Sequence, residues 1–336
     1  MDDLTPVPVL ADVAAQAGVS LSTVSRVITG RTPVSSRTRE RVEKAIAELS
    51  YRPNAAAQAL VSGRSSVVSV IAKNTLRWGY AATLQGIEEA ARAAGYVVMI
   101  TVVESADPAD LERAVDSVAT RSIAGAVVID FDAVGSQTLA ALPRSVPVVA
   151  SAGAVKQGED LPHAYLDDFE GGRRATEYLL SLGHQTVHHV AIPSTRERSG
   201  REWGWRQALE EAGAPVPAVV SADYDPSSGY RAAKLVPAGA TAILCGNDEV
   251  AIGVIRELTE RGVRVPADVS VMGFDDQSFA AMWSPALSTV RQDFSDLGRR
   301  TFALLQEWIE TGVRPRDSIA TAEIVIREST APPPAP

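Results

Sequence analysis

Residues 10–29 place short polar side chains and one guanidinium where a helix should begin. The run ADVAAQAGVSLSTVSRVITG holds a helix over 10–16, a turn at Ala17-Gly18-Val19, and Ser20 placed to cap a second helix through Ile28. A helix, a glycine-bearing turn and a second capped helix can offer the start of the second helix to a DNA major groove. The residues so offered are Leu21, Ser22, Ser25 and Arg26. An ordinary three-helix bundle with no nucleic-acid partner fits the same spacing, and these residues alone leave both readings open.

Catalysis finds no comparable constellation. His163, His184, His188 and His189 show no nucleophile–base spacing, and neither a G-x-S-x-G elbow nor a phosphate-cradling glycine loop occurs. Gly171-Gly172 before Arg173-Arg174 reads as a helix terminus. The one cysteine, Cys245, closes a strand and is expected in the core; with no zinc-type spacing, no metal or cofactor is expected. An enzyme on a doubly wound fold is therefore the weakest of the readings considered.

The elements that must position these residues fall into three parts. A third helix over 37–49 carries the stripe Val42, Ile46 and Leu49 and stops at Tyr51-Arg52-Pro53. The Ala-rich segment 54–61 is about two turns long, too short to be helical by itself in water. From Val67 strands and helices alternate. Strands are expected at 67–72, 96–103, 126–130 and 146–151, then in a second series at 164–167, 187–192, 219–224, 242–245 and 269–274. Helices are expected at 83–94, 108–119, 171–182, 202–212 and 249–261. Such alternation predicts two doubly wound parallel-sheet lobes with ligands beyond the carboxyl ends of the strands. The tail TAPPPAP is expected to be disordered.

Composition agrees with this division. Of 336 residues 46% are hydrophobic and 22% charged, an ordinary globular balance. The net charge of −9 is uneven: residues 1–64 hold eight basic and six acidic side chains, residues 65–336 hold 24 and 35. A basic head on an acidic body suits a head that meets phosphate. No run of 18 apolar residues and no basic leader occurs, so a soluble cytoplasmic protein with no membrane contact is expected.

The chain resembles the LacI/GalR family of transcriptional repressors. The likeness is carried in the head by Ala11-Asp12-Val13-Ala14, Ala17-Gly18-Val19-Ser20, Thr23-Val24-Ser25-Arg26-Val27, Thr38-Arg39-Glu40-Arg41-Val42 and Tyr51-Arg52-Pro53-Asn54. In the body it continues through Gly183-His184, Gly246-Asn247-Asp248, 271–276 (VMGFDD) and Arg291-Gln292-Asp293-Phe294. It spans roughly residues 9–328, and the 104–105 and 199–205 neighbourhoods look closest to lactose-type repressors. The resemblance implies a helix-turn-helix head over 1–53, a hinge helix and linker over 54–66, a periplasmic-binding-protein-like body over 67–328 and a disordered tail over 329–336. It also implies that Leu21 and Ser22 read bases, that Arg26 meets a phosphate or guanine edge, and that Asn54, Ala57 and Leu60 meet the operator. Leu60 corresponds to a minor-groove wedge, which unstacks a base step in exchange for the surface a bent duplex wraps.

By the same resemblance Arg201, Asn247 and Asp275 take the polar ligand positions, Tyr224 an aromatic one, and Phe294 the cleft wall. Each has a plainer reading: Asp275 as a helix cap, Asn247 as a loop-shaping residue, Tyr224 and Phe294 as core. Ala152 stands where lactose-type repressors carry an acid, Arg77-Trp78-Gly79-Tyr80 replaces their apolar lid, and Glu249 replaces an amide or another acid. A sugar other than lactose, stacked on Trp78 or Tyr80, is the expected effector. A nucleobase corepressor, or a solute-binding module without regulatory role, are the alternatives. The expected partners are a pseudo-palindromic double-stranded DNA operator and a second copy of the chain; no heptads follow Glu328, so a dimer rather than a tetramer is expected.

Overall fold

The computed structural model describes residues 8–29, 33–51, 65–119, 122–143, 145–153, 161–194 and 200–335. The chain divides into two compact units, Met1–Ser66 and Val67–Pro336. Asn54, Ala57 and Leu60, with most of the expected 54–66 hinge, lie outside the described residues.

The first unit holds α1 (Leu10–Ala17), α2 (Leu21–Thr29) and α3 (Ser36–Glu48). Gly18 ends α1 in the left-handed region at φ 59°, which a residue without Cβ adopts cheaply. Ser20 caps α2 as the sequence predicts, its hydroxyl accepting from the Thr23 amide at 3.2 Å, and Ser35 caps α3 through Thr38. Val13, Ala14, Val24, Val27, Val42 and Ala45 form a small buried core. Arg41 crosses from α3 to donate to the Ala17 and Gly18 carbonyls, tying the turn before α2.

In the second unit, β1 (Val67–Ala72), α4 (Trp78–Ala93), β2 (Val97–Val102), α5 (Pro108–Ala119), β3 (Gly125–Asp130), α6 (Ala133–Ala141), β4 (Val148–Ala152) and β5 (His163–Leu166) alternate as expected. So do α7 (Asp168–Ser181), β6 (His188–Ala191), α8 (Arg201–Glu211), β7 (Val220–Ser221), α9 (Pro226–Ala233), β8 (Ala242–Cys245), α10 (Asp248–Glu260) and β9 (Ser270–Met272). The chain ends through β10 (Thr289–Arg291), α11 (Phe294–Thr311), β11 (Ser318–Ala320) and β12 (Glu323–Val325). Two parallel sheets result, ordered β11-β5-β4-β3-β1-β2 and β7-β6-β8-β9, with β10 and β12 as an antiparallel pair. The period-2 alternation of strands sends successive residues to opposite faces. Val68 and Val70 pack under α4 and α11, Ile71 under α5 and α6. In the second sheet Ile243 and Cys245 join one core, Ala242 and Leu244 the other.

Three expectations need correction. The strand expected at 164–167 was grouped with the second series, yet β5 pairs with β4 in the first sheet, and the chain changes lobe only after it. It then returns for α11 and β11, and leaves again for β12, so three crossovers join the lobes, near Asp168, Gln292 and Ala322. Gly171 and Gly172 are not a terminus. They lie inside α7, where an added Cβ on Gly172 would stand 2.2 Å from the Arg201 carbonyl, so glycine lets α7 and α8 touch backbone to backbone. The tail is not disordered from residue 329. The Val271 amide donates to the Ser329 carbonyl at 2.9 Å, and the Ala331 amide to Ser270 Oγ at 2.9 Å. Prolines begin only at Pro332, so the three residues before them keep the amide groups that pairing requires.

Candidate operator and effector sites

In the first unit the inward face of α2 is Val24 and Val27, and the opposite face carries the four residues singled out from sequence. Leu21 is 52% exposed, Ser22 and Arg26 are exposed, and Ser25 is half-buried. An exposed leucine at the first position of a capped helix gains nothing from folding. Its neighbours Ser22 and Arg26 supply hydroxyl and guanidinium donors on the same surface.

In the second unit Trp78, Tyr80, Arg201, Tyr224, Asn247, Asp275 and Phe294 all line one cleft between the two lobes, with about 1060 Å³ of empty space including its mouth. Arg201 is the centre of its floor. It begins α8, its guanidinium lies 4.0 Å above the Phe274 ring, and it donates to the Gly246 carbonyl and, at 3.2 Å, to Gln292 Oε1. Asp275 Oδ1 stands 3.1 Å from one of its nitrogens and Asp168 Oδ2 3.3 Å from Nε. Gln292 donates to Asp168 Oδ1 at 2.5 Å, so its amide bridges the arginine and the acid. Both carboxylates sit at a lobe crossover or at a strand end, as the parallel-sheet rule places them.

Asp275 is no helix cap. Its backbone is at φ 110°, a strained conformation for a residue with a side chain, and its amide donates to Val290 at 2.7 Å. The next residue anchors this turn: Asp276 accepts from Arg291 at 2.7 Å and Arg327 at 2.6 Å. Burial pushes the Asp275 carboxyl up to about 7, against the pull of Arg201. Burial likewise raises Asp248 to about 8, although it accepts from Thr289 at 2.6 Å and the Gln277 amide at 2.7 Å.

The plainer reading of Asn247, as a residue that shapes its loop, holds. Its oxygen caps α10 at the Val250 amide, 2.7 Å, and its nitrogen donates to the Tyr224 carbonyl at 3.0 Å. Tyr224 is not core: its hydroxyl donates to Pro193 and Arg77 lies 4.1 Å over its ring. Tyr80 is buried, donating to Asp132 at 2.6 Å and meeting Phe131 edge-on at 5.1 Å. Phe131 meets Phe294 edge-on at 5.8 Å, so the wall is a chain of three rings. Trp78 is 39% exposed and also lines the cleft. Cys245 is fully buried, and burial pushes its thiol up, as expected of a core residue.

Asp168, Gln292, Phe131 and Gly153 were not singled out from sequence. Asp168 and Phe131 each stand one or two residues beyond a strand's carboxyl end, the signal that could have found them. Gln292 lies in a motif already noted, and Gly153 stands one residue beyond the carboxyl end of β4, the same signal. Among the described residues no cluster suits a metal ion, and no helix is long and apolar enough to cross a membrane.

A helix-turn-helix unit and a two-lobed unit with a polar cleft, in one chain, define the class of DNA-binding regulators that carry a ligand-binding body. Comparison narrows the class. The family described as bacterial regulatory proteins, lacI family, matches residues 9–54, and the periplasmic binding protein-like domain matches residues 176–330. The chain is 33% identical over 326 residues to the HTH-type transcriptional repressor PurR of Yersinia pestis, covering 94% of this chain and 93% of that protein. It is 34% identical over 311 residues to PurR of Pectobacterium carotovorum, covering 89% and 90%. The lac repressor dimer bound to operator and the anti-inducer ONPF superposes with a TM-score of 0.87 at 30% identity, covering 97% of this chain and 100% of that one. The regulator CelR in complex with cellobiose gives 0.71 at 29%, covering 96% and 99%. The chain belongs to the LacI family: it is a DNA-binding transcriptional repressor, not an enzyme.

Proposed function

We propose that this repressor acts as a homodimer in the cytoplasm and that a small sugar held between the lobes of its body controls its affinity for a palindromic operator. The observation that carries the sugar is the floor of the cleft, where one guanidinium is flanked by two carboxylates. Planar donors beside two-oxygen acceptors suit paired hydroxyls. The walls favour the same reading. Phe131 meets Tyr80 and Phe294 edge to face, Arg77 covers one face of Tyr224, and Trp78, 39% exposed, offers a surface on which a sugar ring can stack.

The PurR relatives favour a second reading, a nucleobase in the same cleft. Leu21, Ser22, Ser25 and Arg26 are the groove-facing residues of this proposal, with Asn54, Ala57 and Leu60 at the operator centre. Support for the dimer comes from β2, an edge strand on which Val97, Ile100 and Val102 are 58%, 50% and 47% exposed, and from the dimeric lac repressor. Thermal-shift screening with neutral sugars and nucleobases separates the two effectors. A ligand at 100 times its Kd adds ~2.7 kcal/mol of stability. Stabilisation by a sugar is the expected result; stabilisation by nucleobases alone would replace it with the second reading.

A further inference from the structure

Arg201 Nε and Asp275 Oδ1 are both buried at the cleft and each faces only an opposite charge, Asp168 Oδ2 at 3.3 Å and an Arg201 nitrogen at 3.1 Å, with neither contact closing a well-aligned hydrogen bond. Leaving a buried donor and a buried acceptor unmatched is costly unless a ligand group supplies both functions, and a hydroxyl does so from one atom. Asp168 stands on the other side of the same guanidinium, with its orientation set by Gln292.

The position of Asp168 is made by its surroundings. It opens α7 in the second lobe, yet its carboxylate reaches back over the end of β4 in the first, and its amide donates to the Gly153 carbonyl at 3.2 Å. A Cβ on Gly153 would lie 2.5 Å from Asp168 Oδ2, so only glycine at 153 leaves room for the carboxylate there. Ala152, buried beside it, brings no polar group to this end of the sheet. Asp168 thus fills a place that no side chain of β4 fills.

Charge bears on the same question. Asp168, Glu202, Glu249 and Asp275 line the cleft against the guanidiniums of Arg77 and Arg201. Arg201 is already flanked by two carboxylates, and Arg77 is stacked on Tyr224. Among the described residues an anionic ligand would meet a surplus of acids, with the guanidinium of Arg201 already shared by two of them, so its lost hydration would be poorly recovered.

We propose that Asp168, seated over Gly153, is a specificity-determining ligand residue, and that the pair Asp168–Asp275 across Arg201 selects an uncharged polyol with adjacent hydroxyls and rejects its phosphorylated form. The proposal rests on the sugar reading above and narrows it to a charge class.

The test is calorimetric titration of the full-length protein with glucose, galactose and cellobiose, with glucose 6-phosphate and galactose 6-phosphate, with glucosamine, and with hypoxanthine. Asp168→Asn keeps the shape and removes the charge; Gly153→Ala displaces the carboxylate without touching it. Circular dichroism and the unliganded Tm confirm that each variant is folded. The expected result is binding of a neutral sugar, no binding of its phosphate, and a loss of about tenfold or more in affinity in both variants. If a sugar phosphate binds more tightly than its neutral parent, or if both variants bind the neutral sugar as the wild type does, the proposal is overturned while the sugar reading stands. If hypoxanthine alone binds, or no sugar of any kind does, that reading falls and the proposal with it.

Discussion

Replacing Arg201 by methionine keeps an unbranched apolar chain against Phe274 and removes the one cation between Asp168 and Asp275. Two losses follow, and pH separates them. The Gly246 carbonyl and the Gln292 amide oxygen lose their donor, a cost of about 1–3 kcal/mol that does not vary with pH. The other loss comes from Asp275, whose carboxyl sits at about 7 with Arg201 beside it and must rise further without it. A carboxyl whose folded pKa is raised binds its proton more tightly when folded, so its cost is absent at low pH. The cost grows as pH rises above the unfolded value. Wild type and variant share this cost up to the wild-type value near 7. Above it the wild type is fully ionised and its cost is constant, while the variant continues to lose about 1.4 kcal/mol per pH unit until its own pKa is reached. His189, held down to about 4 by burial and to a lesser degree by Arg201, is released in part by the substitution, but it is neutral above pH 7 in folded and unfolded chains alike and adds no slope there. Urea unfolding followed by tryptophan fluorescence at half-unit steps from pH 6 to 8.5 measures the gap in stability between the two proteins. A nearly constant gap below pH 7 that widens above it is expected. A gap independent of pH throughout would refute the claim that Arg201 restrains the Asp275 proton.

Further outcomes follow from the same contacts. Arg26→Ala should weaken operator binding by about 1–3 kcal/mol if the guanidinium reads a base edge, measured by fluorescence anisotropy, and exchanging Leu21 and Ser22 should change which operator is preferred. Gly204→Ala places a Cβ 2.0 Å from the Phe169 carbonyl at the α7–α8 crossing, and overpacking there should cost about 1–3 kcal/mol in urea unfolding. Light scattering at micromolar concentration should give a dimer, and Ile100→Glu on the β2 edge should shift it toward monomer; a monomeric wild type would remove the β2 interface.

The parts of the fold that were legible in the sequence are those where local pattern and tertiary context agree. The 242–245 strand and the 108–119 helix match to the residue because each is punctuated by turns and has an uninterrupted apolar period. The lobe membership of β5 was not legible, because strand pattern reports that a strand exists and not which sheet it joins. The helix Phe294–Thr311 was missed although amphipathic, its start having been read as a motif rather than as the cap that Asp293 provides. At the site, Arg201 and Asp275 were found through resemblance, and the geometry supplies what resemblance lacks: a strained backbone at Asp275 and a shared guanidinium. Asp168 was missed for a physical reason. Its position depends on Gly153, 15 residues earlier in the sequence, and on Gln292, which returns from the far end of the chain.

The central claim is that occupancy of the cleft and occupancy of the operator are coupled. Two lobes joined by three crossovers can rotate about a ligand, and that rotation is the proposed route by which the cleft acts on the operator. Coupling of this kind is reciprocal: the factor by which the ligand changes operator affinity must equal the factor by which operator changes ligand affinity. The direct measurement is a titration of fluorescent operator with the protein, with and without the neutral sugar that the calorimetric screen identifies, paired with sugar titrations of the free and operator-bound repressor. The account predicts a shift in operator affinity, equal in both directions and lost in Arg201→Ala and Asp275→Ala. A sugar that binds in the cleft and leaves operator affinity unchanged, or a response that survives both substitutions, would contradict it.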